Sequence, residues 1–148
     1  MASRTILLVE DQLNDEWLIL RALRKSNIAN KVSVVRDGAE ALDFLFCRGT
    51  YIDRDENDLP EMIILDLRLP KLDGLEVLRI IRVDRRTSRL PVIILTSSKA
   101  DEDRINSYKF GANAFLRKPI DFSQLVEAVC RLNMSWIVLN QMPQPSDY

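Results

Sequence analysis

The alternation of apolar and polar residues along the chain predicts its secondary structure. Short runs of β-branched and aliphatic residues, typical of buried strands, recur at 5–9, 32–35, 62–65, 92–95 and 114–116. Segments with helical spacing of apolar residues follow them, at 15–25, 39–46, 75–83, 102–110 and 122–132. Asn14, Asp101 and Asp121 stand where helix N-caps are expected. This alternation predicts an α/β domain whose parallel sheet is covered by helices on both faces.

Composition and charge narrow the kinds of partner. The chain has 148 residues, 47% of them hydrophobic, which fits one domain with a sizeable core. A net charge of -1 gives no global field that would attract nucleic acid or an anionic membrane. Several arginines lie within 79–89, but Glu76 and Asp84 are interleaved with them, which favours a solvated helix face over a nucleic-acid site. No apolar run is long enough for a signal peptide or a membrane span, so we expect a soluble cytoplasmic protein.

Several kinds of chemistry are excluded by missing residues. The sequence contains no histidine, which excludes Ser-His-Asp and Cys-His catalysis and histidine-ligated zinc or haem. Cys47 and Cys130 are isolated, so core packing explains them better than a disulfide or a zinc site. The four glycines form neither a P-loop nor a dinucleotide fingerprint. We therefore expect no nucleotide to bind by either standard route.

Reactive side chains follow four of the five predicted strands. The carboxyl ends of parallel strands share one edge of a sheet, where ligands bind, so these side chains should converge there. They are Glu10, Asp11, Asp66, Thr96 and Lys118.

Three converging carboxylates repel one another unless a cation lies between them, and one lysine is not enough. Mg2+ prefers carboxylate, water and phosphate oxygens, so the set predicts a site for Mg2+ and a phosphoryl group. Lys118 would neutralise one phosphoryl oxygen and Thr96 would donate a hydrogen bond to another. Asp66, which stands alone on its strand, is the expected nucleophile that forms an acyl phosphate.

At these residues the sequence resembles the receiver domain of two-component response regulators. The matching motifs are ILLVED, ILDLRLPKLDG, VIILTSS and FLRKP, and the resemblance covers roughly residues 5–132. It implies a flavodoxin-like, doubly wound domain with a five-stranded parallel sheet of order 2-1-3-4-5. It also implies that Asp66 accepts a phosphoryl group from the phosphohistidine of a histidine kinase, and that the protein assists its own phosphorylation and dephosphorylation without otherwise being an enzyme.

The resemblance also assigns roles to the other residues of the site. Asp11, Asp66 and the backbone carbonyl of Arg68 would hold Mg2+, with Glu10 helping through water. Thr96 and Lys118 would grip the phosphoryl oxygens. Phe115 would take the switch position, where tyrosine is frequent in the family, and would act without a hydroxyl.

Further features bear on flanking positions and partners. The resemblance also implies a cis Lys118-Pro119 bond, although only about 5% of X-Pro bonds in folded proteins are cis. Arg68 and Ser98 would flank the phosphoryl entrance, which leaves the lifetime of the phosphate open. The stretch LPEMIILDLRLPKLDGLEVLRIIR and a tryptophan in the C-terminal extension are similar to the short regulators paired with bacterial phytochromes.

The predicted domains are a receiver over 1–132 and a C-terminal extension over 133–148. The apolar residues 136–139 of the extension either add to the core or face a partner. We favour an interface, a symmetric homodimer that uses the last two helices and the fifth strand.

The prediction is therefore a stand-alone receiver that signals through a phosphorylation-controlled protein-binding or dimer surface. Its downstream target stays unnamed, and neither nucleic acid nor membrane is expected as a partner. One alternative is a phosphatase or phosphotransferase that also forms an aspartyl phosphate, but such enzymes need a second acid where Arg68 stands. Another is a non-phosphorylated binding module, against which the intact set of reactive residues argues.

Overall fold

The described part of the chain folds as five strands that alternate with five helices, with one short 3-10 turn. The computed structural model describes residues 5–107 and 111–141, without the side chains of 105, 107 and 134–141. The strands are β1 (Thr5–Val9), β2 (Lys31–Val35), β3 (Met62–Asp66), β4 (Val92–Thr96) and β5 (Ala114–Arg117). The helices are α1 (Leu13–Lys25), α2 (Gly38–Phe46), α3 (Gly74–Val83), α4 (Lys99–Ser107) and α5 (Phe122–Gln141), with the 3-10 turn at Gly49–Tyr51. The end of the fourth predicted helix, 108–110, lies outside the described residues.

The five strands form one parallel sheet of order β2-β1-β3-β4-β5, which confirms the predicted α/β, doubly wound fold. In the register, Val9 of β1 pairs with Leu65 of β3, and Asp66 pairs with Leu95 of β4. The carboxyl ends of β1, β3 and β4 therefore stand side by side. This is the edge at which the sequence placed the reactive residues.

Burial on both faces of the sheet explains the continuous apolar runs. Successive strand residues point to opposite faces. Ile63 and Leu65 therefore pack with the apolar faces of α2 and α3, while Met62 and Ile64 pack with those of α1 and α5. All four are fully or almost fully buried. Asp66 continues the strand by one residue and is only 3% exposed.

The loop after β3 is held tightly against the sheet by a glycine. Gly74 begins α3, and its backbone N–H donates to the carbonyl of Leu67 at 3.0 Å. A Cβ at Gly74 would lie 2.6 Å from Leu67 Cα and 2.7 Å from the Asp66 carbonyl, which no side chain can tolerate without movement. Glycine at this position therefore fixes where the chain goes immediately after Asp66.

Two predicted N-caps are wrong and one is confirmed. Helix α1 begins at Leu13, so Asn14 lies inside the helix. Helix α4 begins at Lys99, where the Ser98 hydroxyl accepts from the N–H of Ala100 at 3.1 Å, so Asp101 lies in the first turn. Asp121 does precede α5, and its Oδ1 accepts from the backbone N–H groups of the helix's second and third residues at 2.9 and 3.3 Å.

Helix α5 continues without a break across residue 132, where the sequence placed the boundary between the receiver and its extension. The side chains of residues 136–139 are outside the described part of the structure, as are residues 142–148. Among the residues that the structure describes, no helix combines the length and apolar character that crossing a membrane requires.

Candidate functional site

Three carboxylates meet at the carboxyl edge of the sheet. Glu10 and Asp11 directly follow β1, and Asp66 ends β3, so the parallel pairing of these two strands brings them together. One carboxylate oxygen of each lies within 4.8 Å of the other two. Glu10 is fully buried and Asp66 nearly so, while Asp11 is half-buried. The sequence predicted this cluster.

Lys118 lies one residue beyond β5 and reaches into the acidic cluster. Its Nζ donates to Asp66 Oδ2 at 2.6 Å and to Glu10 Oε1 at 3.2 Å, two contacts that the predicted convergence anticipates. A third contact, to Asp15 Oδ2 at 3.2 Å, was not predicted. Asp15 lies one helical turn beyond Asp11, and this spacing is the only sign of the contact in the sequence.

The pKa values of Glu10 and Lys118 depend on their burial and on the charged groups beside them. The pKa of Glu10 is raised to about 9, chiefly by burial and then by the hydrogen bond and charge of Asp66, while Lys118 acts in the opposite direction. Burial by itself would lower the pKa of Lys118, but the hydrogen bond and charge of Asp66, followed by those of Glu10, raise it above its ordinary value. Lys118 therefore keeps its positive charge beside the three carboxyl groups that its ammonium contacts.

The donor set fits a hard divalent cation. Glu10 Oε2 is buried and accepts no hydrogen bond from any residue that the structure describes, a costly condition that a metal-bound water, a metal ion or a proton would relieve. Asp66 Oδ1 is oriented by the backbone N–H of Arg68, which donates to it at 3.0 Å. Three carboxylates of this kind match the oxygen ligands that Mg2+ prefers.

Thr96 ends β4 beside the cluster and is 1% exposed. Its hydroxyl donates to the carbonyl of Ser98 and accepts from the backbone N–H of Ser98, both at 3.1 Å. Backbone pairing joins the Thr96 carbonyl to the N–H of Lys118 at 2.7 Å. The structure thus places Thr96 at the predicted edge, with its hydroxyl bonded to its own loop.

The two residues named from the family resemblance alone lie at the border of the site. The side chain of Arg68 is 72% exposed and points to Asp101 of α4, with 3.9 Å between Nη2 and Oδ2. Phe115 lies on β5, partly buried, where it pairs with Ile94 of β4 and packs against the core. The Lys118-Pro119 peptide bond is cis, as expected.

A doubly wound parallel sheet with this acidic cluster and a strand-end lysine defines the receiver class of signalling domain. The model of the response regulator receiver domain family matches residues 6–130, and the chain belongs to this family.

Its relatives include a response regulator that it matches over nearly the whole length of both chains. The response regulator Rcp1 of Synechocystis is 36% identical over 140 residues, which are 95% of this chain and 93% of Rcp1. The structure of Rcp1 in its Mn(2+)-bound form matches with a TM-score of 0.73, 36% identity and coverage of 96% and 99% of the two chains.

Two further solved structures are similar. The bacteriophytochrome response regulator RtBRR has a TM-score of 0.81 and 46% identity, with 88% of this chain and 78% of that chain covered. The phosphorylated cyanobacterial phytochrome response regulator RcpA has a TM-score of 0.74 and 37% identity, with 97% and 100% covered.

Proposed function

We propose that this receiver accepts a phosphoryl group on Asp66 from the phosphohistidine of a histidine kinase. The observation that carries the proposal is the Asp66 carboxylate itself. It is almost fully buried at the sheet edge, with Lys118 Nζ 2.6 Å from one oxygen and the backbone N–H of Arg68 3.0 Å from the other. A carboxylate oriented from both sides is positioned for attack in one direction.

The transfer needs little chemistry from the protein beyond positioning and charge. An oxygen of Asp66 bonds to phosphorus as the phosphorus–nitrogen bond of phosphohistidine breaks, and the electron pair remains on the imidazole nitrogen. Lys118 offers an ammonium to the phosphoryl oxygens. Thr96 offers a hydroxyl to them once its hydrogen bond to Ser98 is released.

Mg2+ is the expected cofactor, held by Asp11, Asp66 and the backbone carbonyl of Arg68, with Glu10 acting through water. The Mn(2+)-bound form of Rcp1 supports this assignment, as does the unpartnered oxygen of Glu10. When bound, the ion offsets the charge that builds up between the carboxylates and the incoming phosphoryl group.

The metal should also stabilise the fold, because it binds the folded site alone. A concentration one hundred times the dissociation constant should add about 2.7 kcal/mol to the free energy of unfolding. A melting temperature that does not respond to Mg2+ would contradict the metal site. Glu10→Gln serves as the comparison, because it removes one acid of the cluster and should weaken the response.

The output is a change at a protein-binding surface formed by β5 and α5. Release of the Thr96 hydroxyl from Ser98 would let Phe115 on β5 change position, and phosphorylation need only shift the balance between the two states. A cavity of about 430 Å3 is lined there by residues of both elements, among them Phe115, Gln124 and Arg131. A surface of this kind suits a second copy of the chain or a target protein.

The kinase is expected to be of the phytochrome type, and this chain is expected to act in the cytoplasm. The similarity to RtBRR and RcpA supports the first expectation. The alternative of a phosphatase is not favoured, because the residue two positions after Asp66 is Arg68, whose exposed side chain points to Asp101.

The test is incubation with Mg2+ and acetyl phosphate, followed by measurement of the intact mass. The wild type should gain one phosphoryl group, with acetate as the leaving group, and Asp66→Asn should gain none. If the wild type stays unmodified with acetyl phosphate and also with a phosphorylated phytochrome-type kinase, while remaining folded, the proposal is wrong.

A further inference from the structure

We infer that Asp15 is a positioning residue for phosphoryl transfer and that it acts by holding the ammonium of Lys118 at the entrance to the site. The inference deepens the function proposed above and rests on it. Asp15 lies in the first turn of α1 and Lys118 follows β5, so 103 residues separate the two partners of the contact. Neither composition nor the strand-end pattern singles out Asp15.

The contact completes the hydrogen bonding of Lys118. An ammonium group has three donors. Here they meet three carboxylate oxygens, at 2.6 Å on Asp66, 3.2 Å on Glu10 and 3.2 Å on Asp15. The first two acids lie inside the sheet edge, with side chains 4% and 0% exposed, whereas the side chain of Asp15 is 32% exposed. Asp15 is therefore the outer of the three anchors.

An outer anchor matters because the other two pull in the same direction. Lysine is a compact charge on a flexible stem of four carbons. With only Glu10 and Asp66 as partners, its ammonium would be drawn towards the interior, away from a phosphoryl group that arrives from solvent. Asp15 balances this pull, and the Lys118 side chain remains 19% exposed.

The anchor also has a role after transfer. Once Asp66 is an acyl phosphate, its carboxyl oxygens no longer carry a full negative charge, and the short contact with Lys118 weakens. The ammonium can then turn one donor to a phosphoryl oxygen while Glu10 and Asp15 keep it in place. Before transfer, the same two contacts hold the ammonium at the site, so that it can stabilise the charge that develops in the transition state without the cost of reorganisation.

A purely structural role is the competing explanation, because an acid in the first turn of a helix is favoured by the helix dipole. The two roles differ in what they change. A helix-start acid affects the stability of α1, whereas a positioning residue affects the rate of transfer through Lys118. The test therefore needs readouts that helix stability does not move.

The first readout is the rate of mass gain with acetyl phosphate, measured over a range of donor concentrations in Mg2+. Asp15→Ala should lower the rate at saturating donor on the order of tenfold. Asp15→Glu should restore most of it because the carboxylate returns. Asn14→Ala, an exposed neighbour in the same helical turn, should behave as the wild type. An Asp15→Ala variant that reacts at the wild-type rate would overturn the inference.

The second readout is whether the effect of Asp15→Ala on the rate depends on Lys118. In a Lys118→Ala background, where the rate is slow but is followed over longer times, Asp15→Ala should cause no further loss. The same fold loss in both backgrounds would mean that Asp15 acts by another route.

The Mg2+ concentration that gives half of the rise in melting temperature should not change in Asp15→Ala. A weaker response to Mg2+ would place Asp15 at the metal instead.

The third readout does not need any transfer. The side-chain nitrogen resonance of Lys118, observed by NMR in the unphosphorylated protein, should shift in Asp15→Ala and return towards its original position in Asp15→Glu. An unchanged resonance would refute the anchor. Because this measurement reports the contact alone and the wild-type mass gain reports the transfer alone, failure of the inference and failure of the proposed function are distinguishable.

Discussion

At the scale of single residues, the pKa of Glu10 is strongly shifted by its surroundings. Its carboxyl group is buried between the carboxylate of Asp66 and the ammonium of Lys118. The folded state raises its pKa from 4.5 to about 9, chiefly through burial and then through Asp66. The folded protein therefore keeps a proton there that the unfolded chain releases, so this group lowers stability as the pH rises from about 4.5 towards about 9.

The raised pKa of Glu10 predicts how the stability of the metal-free protein depends on pH. From roughly pH 6 to pH 9, the free energy of unfolding should fall, with Glu10 contributing at most about 1.4 kcal/mol per pH unit. Glu10→Gln should fall less steeply, because glutamine stays neutral in both states. Urea denaturation of both proteins at several pH values measures the two slopes, and equal slopes would contradict the account.

Mg2+ should change the pH dependence because a metal ion competes with the proton for the same carboxylates. The stabilisation that Mg2+ gives to the wild type should grow as the pH rises over the same range. Melting temperatures with and without Mg2+ at each pH test this. A Mg2+ effect that shrinks with rising pH would mean that the buried acids do not take part in binding the ion.

Sequence reasoning succeeded at the residues that follow strands and failed at those within helices. The convergence of Glu10, Asp66 and Lys118 could be predicted, because the carboxyl ends of parallel strands share one edge of the sheet. The contact of Asp15 could not be predicted, because it depends on the rotation of α1 and on the reach of a flexible lysine. The hydrogen bonds between the Thr96 hydroxyl and Ser98 also arise from a loop conformation that no spacing reveals.

At the scale of elements, the predicted strands agree with the structure to within one residue at each end. Strands buried on both faces need uninterrupted apolar runs, so their ends coincide with changes of polarity. Helix starts were less predictable, because neighbouring residues compete to cap them. At α4 the Ser98 hydroxyl caps the start of the helix, three residues before Asp101. Helix α1 starts at Leu13 without any side-chain cap.

The close contact between α3 and β3 leads to a prediction about the loop that carries the site. Gly74→Ala should lower stability by about 1–3 kcal/mol, because its Cβ would meet the backbone of Leu67 and the Asp66 carbonyl. It should also slow phosphorylation, because the chain after Asp66 must shift. Urea denaturation and the rate of mass gain with acetyl phosphate measure the two effects.

The matched control is Gly111→Ala. Gly111 has a φ of +54° but has open space around its Cβ position, so alanine there should cost only about 1 kcal/mol of backbone strain. The rate of phosphorylation should then stay at the wild-type level. If both variants slow phosphorylation equally, the loss comes from lowered stability and not from the position of the β3–α3 loop.

At the scale of the whole molecule, the order of the strands and the layers of helices followed from the family motifs and were confirmed. The relation of one molecule to another stays a prediction. It rests on the apolar residues 136–139, which lie beyond the last turn that the sequence needs to cover the sheet. The pattern of apolar residues predicts which residues are buried, but it does not distinguish burial in the core from burial in an interface between copies.

The predicted homodimer has a direct test. Replacing Trp136 and Ile137 with serine should lower the apparent mass in light-scattering or sizing measurements, because an apolar contact between copies would be lost. Trp17→Ser is the matched control, since Trp17 is a 57% exposed tryptophan on α1, which is not one of the elements of the predicted interface. An unchanged mass in the double variant would refute the role of the C-terminal extension.

The most direct test of the central claim is to locate the phosphoryl group. The wild type is treated with Mg2+ and acetyl phosphate or with a phosphorylated kinase, and the acyl phosphate is then reduced with borohydride, which converts a phosphorylated aspartate to homoserine. Peptide mass spectrometry should find homoserine at position 66 and aspartate at position 11. Homoserine at position 11, or aspartate retained at position 66 in a protein that has gained a phosphoryl group, would contradict the account.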